Sequence, residues 1–263
     1  MTDVCLYERA GGIATITLNR PEALNALDES LSDGLIKALG DAGSDLGVRC
    51  VILTGAGRAF CSGADLQEAK KRIAEHGTMQ PSEILRDRYN PIVRQIVEME
   101  KPVIAAMNGI AAGAGASLAL ACDLRIASDK AGFMQAFVKI GLVPDAGANY
   151  FLPHLVGYQK ALELALTGDV VGAEEAQRIG LVNRVVPHDD LMAQAHAFAE
   201  PFATGPTRAY ALTKKAMRFG AVHDLTSVMD YEPDLQDQAA LTADAREGIA
   251  AFVEKRAPRY DGR

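Results

Sequence analysis

Three segments of the sequence combine residues that could do chemistry on one ligand. Residues 57–66 and 108–117 are rich in glycine and alanine, and residues 141–147 carry a carboxylate at Asp145. Glycine lets a ligand approach backbone N–H groups closely. Two such groups aimed at one oxygen would hold an oxyanion, and a nearby carboxylate could carry a proton. Together these groups would suffice to shuttle a proton next to a carbonyl, for example that of a thioester.

Each glycine-rich segment follows an apolar run and leads into a predicted helix. The first N–H groups of a helix have no intrahelical partner and lie at the positive end of its dipole. The N–H groups of Ala64 and Ala114, which follow Gly63 and Gly113, are therefore the candidate oxyanion donors. Both segments could instead be plain strand-to-helix turns. Neither matches the dinucleotide or the Walker glycine motif, so the sequence does not indicate nucleotide binding.

Asp145 also allows two interpretations. Pro144-Asp145-Ala146-Gly147 is an ordinary turn sequence, in which the aspartate side chain can bond to nearby backbone N–H groups. The neighbours of Asp145 are mostly apolar, and such surroundings raise the pKa of a carboxyl toward that of a useful general base. The five histidines have no metal-ligand spacing and there is no G-x-S-x-G motif, so neither a metal site nor a serine hydrolase is indicated.

Composition limits the classes of partner. The chain has 263 residues, and 27 basic against 34 acidic residues give a net charge of −7, which disfavours nucleic acid. The four cysteines lack disulfide or zinc spacing and suit a reducing cytoplasm. There is no apolar run of membrane-spanning length, and the first residues do not resemble a secretion signal. We therefore expect a cytoplasmic protein.

The hydrophobic pattern predicts an α/β fold. Residues 4–8 and 13–18 form a predicted hairpin, and a helix is expected after Asp28. Residues 50–54 and 103–107 are predicted buried strands, residues 133–137 a further strand, and the chain from Tyr150 onward is expected to be almost all helical. A long helix is expected after Ser82, with a kink at Pro91. We divide the chain into a core of residues 1–200 and a helical region of residues 201–263.

Several motifs together resemble the crotonase superfamily, also called the enoyl-CoA hydratase/isomerase family. They lie at residues 16–27, 60–66, 168, 173–176, 180–182 and 246–256, so the likeness covers nearly the whole chain. The resemblance implies a spiral of repeated ββα units with a helical C-terminal trimerisation region. It also implies an acyl-CoA thioester as substrate, a homotrimer or hexamer, and no cofactor other than the coenzyme A that the substrate carries.

The resemblance assigns roles to individual positions. Ala64 and Ala114 match the two residues whose N–H groups hold the thioester oxygen, and Asp145 matches a catalytic aspartate of certain family isomerases. The implied substrate-binding residues are Gly63, Ala64, Asp65, Leu66, Gln67, Gly113, Ala114 and Phe137.

Two departures from the family pattern favour an isomerase over a hydratase. Typical hydratases carry two glutamates that activate water, and here those positions hold Ser117 and Phe137. Asp145 stands where the typical hydratase has glycine, as in the branch that isomerises ring-1,2-epoxyphenylacetyl-CoA. Residues 89–93, 111–116 and 137–145 also resemble that branch, whereas residues 148–150 depart from it.

Three alternatives to an isomerase stay open. The first is a hydratase that uses another group as its base. The second is a hydrolytic dehalogenase, although the chain lacks the tryptophan of that branch. The third belongs to another class and is a non-catalytic acyl-CoA-binding or RNA-binding member of the family.

Overall fold

A computed structural model describes residues 3–263 of the chain. The first two residues, on which part of the expectation about a secretion signal rests, lie outside the described residues. The chain builds two sheets that lie along a spiral, with helices around them. Among the helices between residues 3 and 263, none is both long enough and apolar enough to cross a membrane.

The larger sheet contains six strands in the spatial order β1-β2-β3-β5-β7-β10, at Cys5–Ala10 (β1), Ile13–Leu18 (β2), Cys50–Gly55 (β3), Val103–Met107 (β5), Leu124–Ser128 (β7) and Arg184–Val186 (β10). β1 and β2 form the predicted antiparallel hairpin, and all later neighbours pair in parallel. β3 and β5 are buried along their whole length, which explains their continuous apolar sequences.

The smaller sheet has the order β4-β6-β8-β9, at Ala59–Cys61 (β4), Ile110–Ala112 (β6), Gly132–Met134 (β8) and Val170–Gly172 (β9). β4, β6 and β8 are parallel, and β9 is antiparallel to β8. Each of the pairs β3-β4, β5-β6 and β7-β8 gives one strand to each sheet. A helix follows each pair, so the predicted spiral of ββα units is confirmed.

The helices lie at Glu29–Ser44 (α1), Leu66–His76 (α2), Pro81–Ile84 (α3), Asn90–Glu98 (α4), Ala114–Ala121 (α5), Ala148–Val156 (α6), Tyr158–Thr167 (α7), Ala173–Arg178 (α8), Leu191–Thr204 (α9), Thr207–Gly220 (α10), Leu225–Ala240 (α11) and Ala243–Glu254 (α12). Asp28 caps α1 by accepting a hydrogen bond from the N–H of Leu31. A π-helical turn at Leu85–Tyr89 joins α3 to α4, just before Pro91, which lacks the N–H that a continuous α-helix needs.

Two layers of apolar side chains cover the faces of the larger sheet. On one face α1, α4 and α5 bury the main core. On the other face Ala195, Ala199 and Ala203 recur every four residues along α9 and pack against Ile52 and Ile104 of β3 and β5. α9 runs through residue 200, and α10, α11 and α12 follow it. The division of the chain at residue 200 stays a prediction.

One local prediction was wrong. The predicted strand at 133–137 ends at Met134, and Ala136–Ile140 forms a 3-10 helix instead. The region after Tyr150 is almost all helical, as predicted, and it also contains β9 and β10, both of three residues. Short strands of this kind carry too few residues for a period-2 pattern to stand out from the helices that flank them.

Candidate active site

The predicted site residues follow three neighbouring strands of the smaller sheet. β4 ends at Cys61, β6 at Ala112 and β8 at Met134. Because these strands are parallel neighbours, their carboxyl ends lie at the same edge of the sheet. Ala64 comes three residues after the first strand and Ala114 two residues after the second. Asp145 follows the third strand, after the intervening 3-10 helix.

The peptide between Gly63 and Ala64 is held in one orientation by Leu27. The carbonyl of Gly63 accepts a hydrogen bond from the N–H of Leu27 at 2.7 Å, and the N–H of Asp65 donates to the carbonyl of Leu27 at 3.1 Å. In a trans peptide the C=O and the N–H point in opposite directions. The N–H of Ala64 therefore points away from Leu27.

The peptide between Gly113 and Ala114 is fixed in the same manner by α5. The carbonyl of Gly113 accepts the N–H of Ser117 at 3.0 Å, as the first bond of the helix. The N–H of Ala114 then points outward from the N-terminus of α5, at the positive end of the helix dipole. The N–H of Gly113 donates to the carbonyl of Met134 at 2.9 Å, which attaches this turn to β8.

The two turns are in close contact, and glycine is required for that contact. Gly63 has a φ of +95°, and a methyl group added to it would lie 2.7 Å from the carbonyl oxygen of Ala112 and 3.2 Å from the amide nitrogen of Ala114. A methyl group on Gly115 would clash with the carbonyl of Cys61. Both candidate N–H groups are thus presented from backbones that touch.

The side chain of Asp145 lies half-buried on the loop between the 3-10 helix and α6. Its Oδ1 atom is inaccessible to solvent and has no hydrogen-bond partner among residues 3–263. Burial raises the pKa of the Asp145 carboxyl to about 6. A carboxyl with a pKa in this range can both accept and return a proton near neutral pH.

The sequence model of the enoyl-CoA hydratase/isomerase family matches residues 8–263. The chain belongs to this family. It is 45% identical to a Rhodobacter capsulatus protein named "probable enoyl-CoA hydratase", over 98% of the chain and 97% of that protein. It is 41% identical to the 1,2-epoxyphenylacetyl-CoA isomerase of Escherichia coli, over the full length of both.

A solved family structure agrees with the fold described above. The enoyl-CoA hydratase from Bacillus anthracis is 36% identical to this chain and superposes with a TM-score of 0.92. The superposition covers 99% of this chain and 100% of that one. The predicted crotonase fold is thereby confirmed.

The remaining predicted binding residues differ in their exposure and in whether their side chains already have partners. Leu66 and Gln67 are exposed at the start of α2. Phe137 is buried, and the end of its ring lies 4.0 Å from the place where Gly113 would carry a Cβ. The side chain of Asp65 is already engaged, because it caps α2 and pairs with Arg20.

Arg20 holds the exposed first turn by its charge. Its guanidinium lies 3.1 Å from carboxylate oxygens of both Asp28 and Asp65, which are the N-cap residues of α1 and α2. It also donates to the carbonyl of Ala26 at 2.7 Å. Burial alone would raise the pKa of Asp65, but the bonds from Arg20 and from two backbone N–H groups leave it below its usual value.

Two buried asparagines hold the loop that leads into the first turn. The amide nitrogen of Asn25 donates to the carbonyls of Ala56, Ala59 and Phe60, at 2.9, 2.8 and 3.2 Å. Asn25 has a φ of +56°, a left-handed conformation that asparagine tolerates well. Asn108 donates to the carbonyls of Gly57 and Ala59 from the side of β5 and β6.

Sequence reasoning assigned no role to Arg20, Asn25, Tyr89 or Gln135. The hydroxyl of Tyr89 donates to the carbonyl of Leu27 at 3.3 Å and so supports the first turn. Gln135 is buried, with both polar atoms lacking partners within the described part of the chain. A glutamine inside the apolar segment 133–137 is the sequence signal that could have singled it out.

One surface cavity lies away from all the predicted site residues. A cavity of about 440 Å³ lies between Arg49, Lys101 and the C-terminal residues, and none of the predicted site residues lines it. Across residues 3–263 there is no cluster of three or more His, Cys, Asp or Glu side chains that could hold a metal ion. The candidate site is therefore defined by the segments that follow the parallel strands β4, β6 and β8.

Proposed function

We propose that this member of the enoyl-CoA hydratase/isomerase family is an acyl-CoA isomerase. The observation that carries the proposal is the partly buried carboxyl of Asp145, whose Oδ1 has no hydrogen-bond partner among residues 3–263. Asp145 follows β8, and β8 lies beside the strands that precede Ala64 and Ala114. Other carboxylates of the region are already occupied. Asp65 pairs with Arg20, and Glu68 pairs with Arg72 and Arg88.

The proposed reaction uses the two N–H groups and the Asp145 carboxyl. The N–H groups of Ala64 and Ala114 donate to the thioester carbonyl oxygen and stabilise the enolate that forms, a contribution of about 3 kcal/mol for each donor. The Asp145 carboxylate removes a proton from one carbon of the acyl group, leaving the enolate. The protonated Asp145 then returns a proton to another carbon, so the double bond moves and the atoms balance. The coenzyme A thioester supplies the acidity, and the scheme needs no further cofactor.

Water addition is the second candidate function, and the name of the Rhodobacter capsulatus relative favours it. The family resemblance places the two water-activating glutamates of a hydratase at positions 117 and 137. Ser117 is fully buried and uncharged, and Phe137 is buried and apolar. Neither side chain can act as a carboxylate base, which supports isomerisation over hydration.

The deciding variant is Asp145→Asn, which keeps the size of the side chain but removes its basicity. Loss of a general base costs about a hundred- to ten-thousand-fold in rate. We expect the variant to bind coenzyme A thioesters, yet to lose both isomerisation and substrate-dependent deuterium uptake from heavy water. The panel should include an enoyl-CoA and ring-1,2-epoxyphenylacetyl-CoA, the latter because of the Escherichia coli relative.

The matched control is Asp41→Asn on α1, where the exposed Asp41 pairs with Lys37. It should isomerise at the wild-type rate. If Asp145→Asn also isomerises at that rate, Asp145 is a turn residue and the proposal fails. Rapid hydration of crotonyl-CoA by both the wild type and Asp145→Asn would favour the hydratase alternative.

The proposed assembly is a homotrimer or a dimer of trimers. Large apolar side chains are exposed on the C-terminal helices, among them Met217, Leu225, Met229, Ile249 and Phe252. Apolar patches of this kind on one region commonly mark a protein interface. A monomeric mass in light scattering at micromolar concentration would contradict the proposal.

A further inference from the structure

Ser117 connects the helix of the second turn to the backbone of Asp145. It lies on α5, three residues after Ala114, and is fully buried. Its hydroxyl oxygen is 2.9 Å from the carbonyl oxygen of Asp145 and 3.3 Å from that of Gly113. A serine hydroxyl has one proton, and the shorter contact, to Asp145, is the better hydrogen bond.

The loop around Asp145 has a conformation that needs outside support. Ala146 is buried with a φ of +48°, a left-handed conformation that is unfavourable for alanine, and Gly147 follows at +83°. The carbonyl of Asp145 also accepts the N–H of Ala148, the first residue of α6, at 2.9 Å. This carbonyl is therefore fixed from two helices, and strained residues persist where their surroundings fix them in this manner.

We propose that Ser117 is a positioning residue, which sets the Asp145 carboxyl against the N–H of Ala114 by holding the Asp145 carbonyl with its hydroxyl. The inference rests on the proposed function for its catalytic consequence. Ser117 touches no reacting atom and acts through the peptide of Asp145. Because α5 carries both Ala114 and Ser117, a single rigid turn of helix sets the distance between the oxyanion donor and the base.

The same contact leaves no free space for a longer side chain at position 117 in this conformation. The Ser117 side chain is completely buried with the Asp145 carbonyl 2.9 Å away, so a longer acidic side chain would have to displace the loop.

The test compares Ser117→Ala with Ser128→Ala. Ser128 is also fully buried and also uses its hydroxyl, here with His188 at 2.9 Å, but it lies on β7 in the larger sheet. Ser117→Ala should lower kcat by about ten- to a hundred-fold with KM little changed, as expected when a reacting group is misplaced by about 1 Å. Ser128→Ala should keep the wild-type kcat.

The ionisation of Asp145 gives a readout that does not depend on turnover. The infrared band of its protonated carboxyl, isolated by subtracting the spectrum of Asp145→Asn, should titrate near pH 6 in the wild type. In Ser117→Ala the loosened loop gives the carboxyl more water, so its midpoint should move to lower pH. Ser117→Cys, with a weaker donor of similar size, should give an intermediate kcat and midpoint.

The outcomes separate the two proposals. If the wild type shows the Asp145 band and its shift in Ser117→Ala but isomerises no thioester, the proposed function fails while the positioning role stands. If Ser117→Ala keeps both the wild-type kcat and the wild-type midpoint, the positioning role is wrong. If Ser117→Ala does not fold, Ser117→Cys decides, and a wild-type kcat and midpoint in that variant would overturn the inference.

Discussion

The two turns that present Ala64 and Ala114 occupy equivalent places in successive ββα units, yet they are held by different means. The first turn has an exposed alanine and is held by polar side chains from distant segments, chiefly Arg20 and Asn25. The second turn is fully buried and is held by small residues in contact and by the helix that it opens. Both turns need a glycine where they touch, but polar side chains hold the first turn and close backbone packing holds the second.

The largest effect is expected from Gly115→Ala, which attacks the contact of the second turn. The added methyl group would clash with the backbone carbonyl of Cys61, and neither backbone can move without disturbing a strand or a helix. Overpacking a core costs about 1–3 kcal/mol and more where backbone must shift, so we expect a loss of about 3 kcal/mol in the free energy of unfolding. Urea denaturation measures it.

The control for that variant is Gly172→Ala, because a methyl group there would meet no atom of the described residues within 4 Å. It should change the unfolding midpoint little. A Gly115→Ala protein that unfolds at the wild-type urea concentration would show that the second turn does not depend on close backbone contact.

A smaller loss, of about 2 kcal/mol, is expected from Asn25→Ala, which attacks the first turn. Three buried carbonyls lose a donor, and alanine tolerates the φ of +56° less well than asparagine does. Asn25→Gly separates the two causes, because it removes the amide but relieves the backbone. Turnover should fall in both variants, since the loop positions the N–H of Ala64.

Asn183→Ala is the matched control for Asn25, since its exposed side chain accepts a single hydrogen bond, from the N–H of Arg125. Its loss should be well below that of Asn25→Ala. Equal unfolding midpoints for the two variants would mean that the three bonds of Asn25 do not stabilise the first turn.

The smallest effect is a pH-dependent change in stability at Asp145. The Asp145 carbonyl accepts a hydrogen bond from Ser117, on the helix that the second turn opens. The pKa of Asp145 is raised from 3.8 to about 6, so the native state binds more protons than the unfolded state between these values. Its contribution to stability is present below pH 3.8 and is lost as pH rises through 6. Asp145→Asn should therefore gain stability over the wild type across this interval, by about 1 kcal/mol after allowing for solvent screening.

Thermal unfolding of both proteins between pH 4 and pH 8 measures the gain. It should be absent near pH 4 and constant above pH 7. A difference in melting temperature that does not vary with pH would show that the Asp145 carboxyl is not desolvated by the fold.

Much of the fold was predictable because its signals are local. The hairpin, the helix capped by Asp28, and the buried runs of β3 and β5 follow from periodicity and capping. The three-residue strands of the smaller sheet were harder, because pairing with distant residues makes them strands. The spiral therefore came from the family resemblance and from no visible repeat in the sequence.

In the candidate site, too, the residues with local signals were predictable and the contacts between distant residues were not. The turn residues Gly63 and Gly113 and the carboxylate at Asp145 were visible as residue types. The contacts of Arg20, Asn25 and Ser117 were not, because each joins segments between 28 and 45 residues apart. A hydrogen bond to a distant carbonyl produces no periodic pattern in the sequence. The roles of these side chains can therefore be assigned only from the folded structure.

The parallel order of β4, β6 and β8 also determines which part of the proposed substrate each following segment meets. Neighbouring strands lie about 4.8 Å apart, so the turns after β4 and β6 begin about one strand spacing from each other. Asp145 follows β8 only after the 3-10 helix Ala136–Ile140, and its place is set by that helix and by the Ser117 contact. In the proposed reaction the first two turns bind the carbonyl oxygen and the third serves the acyl carbons. Changing the reaction then requires a new group on the third segment while the first two turns stay as they are.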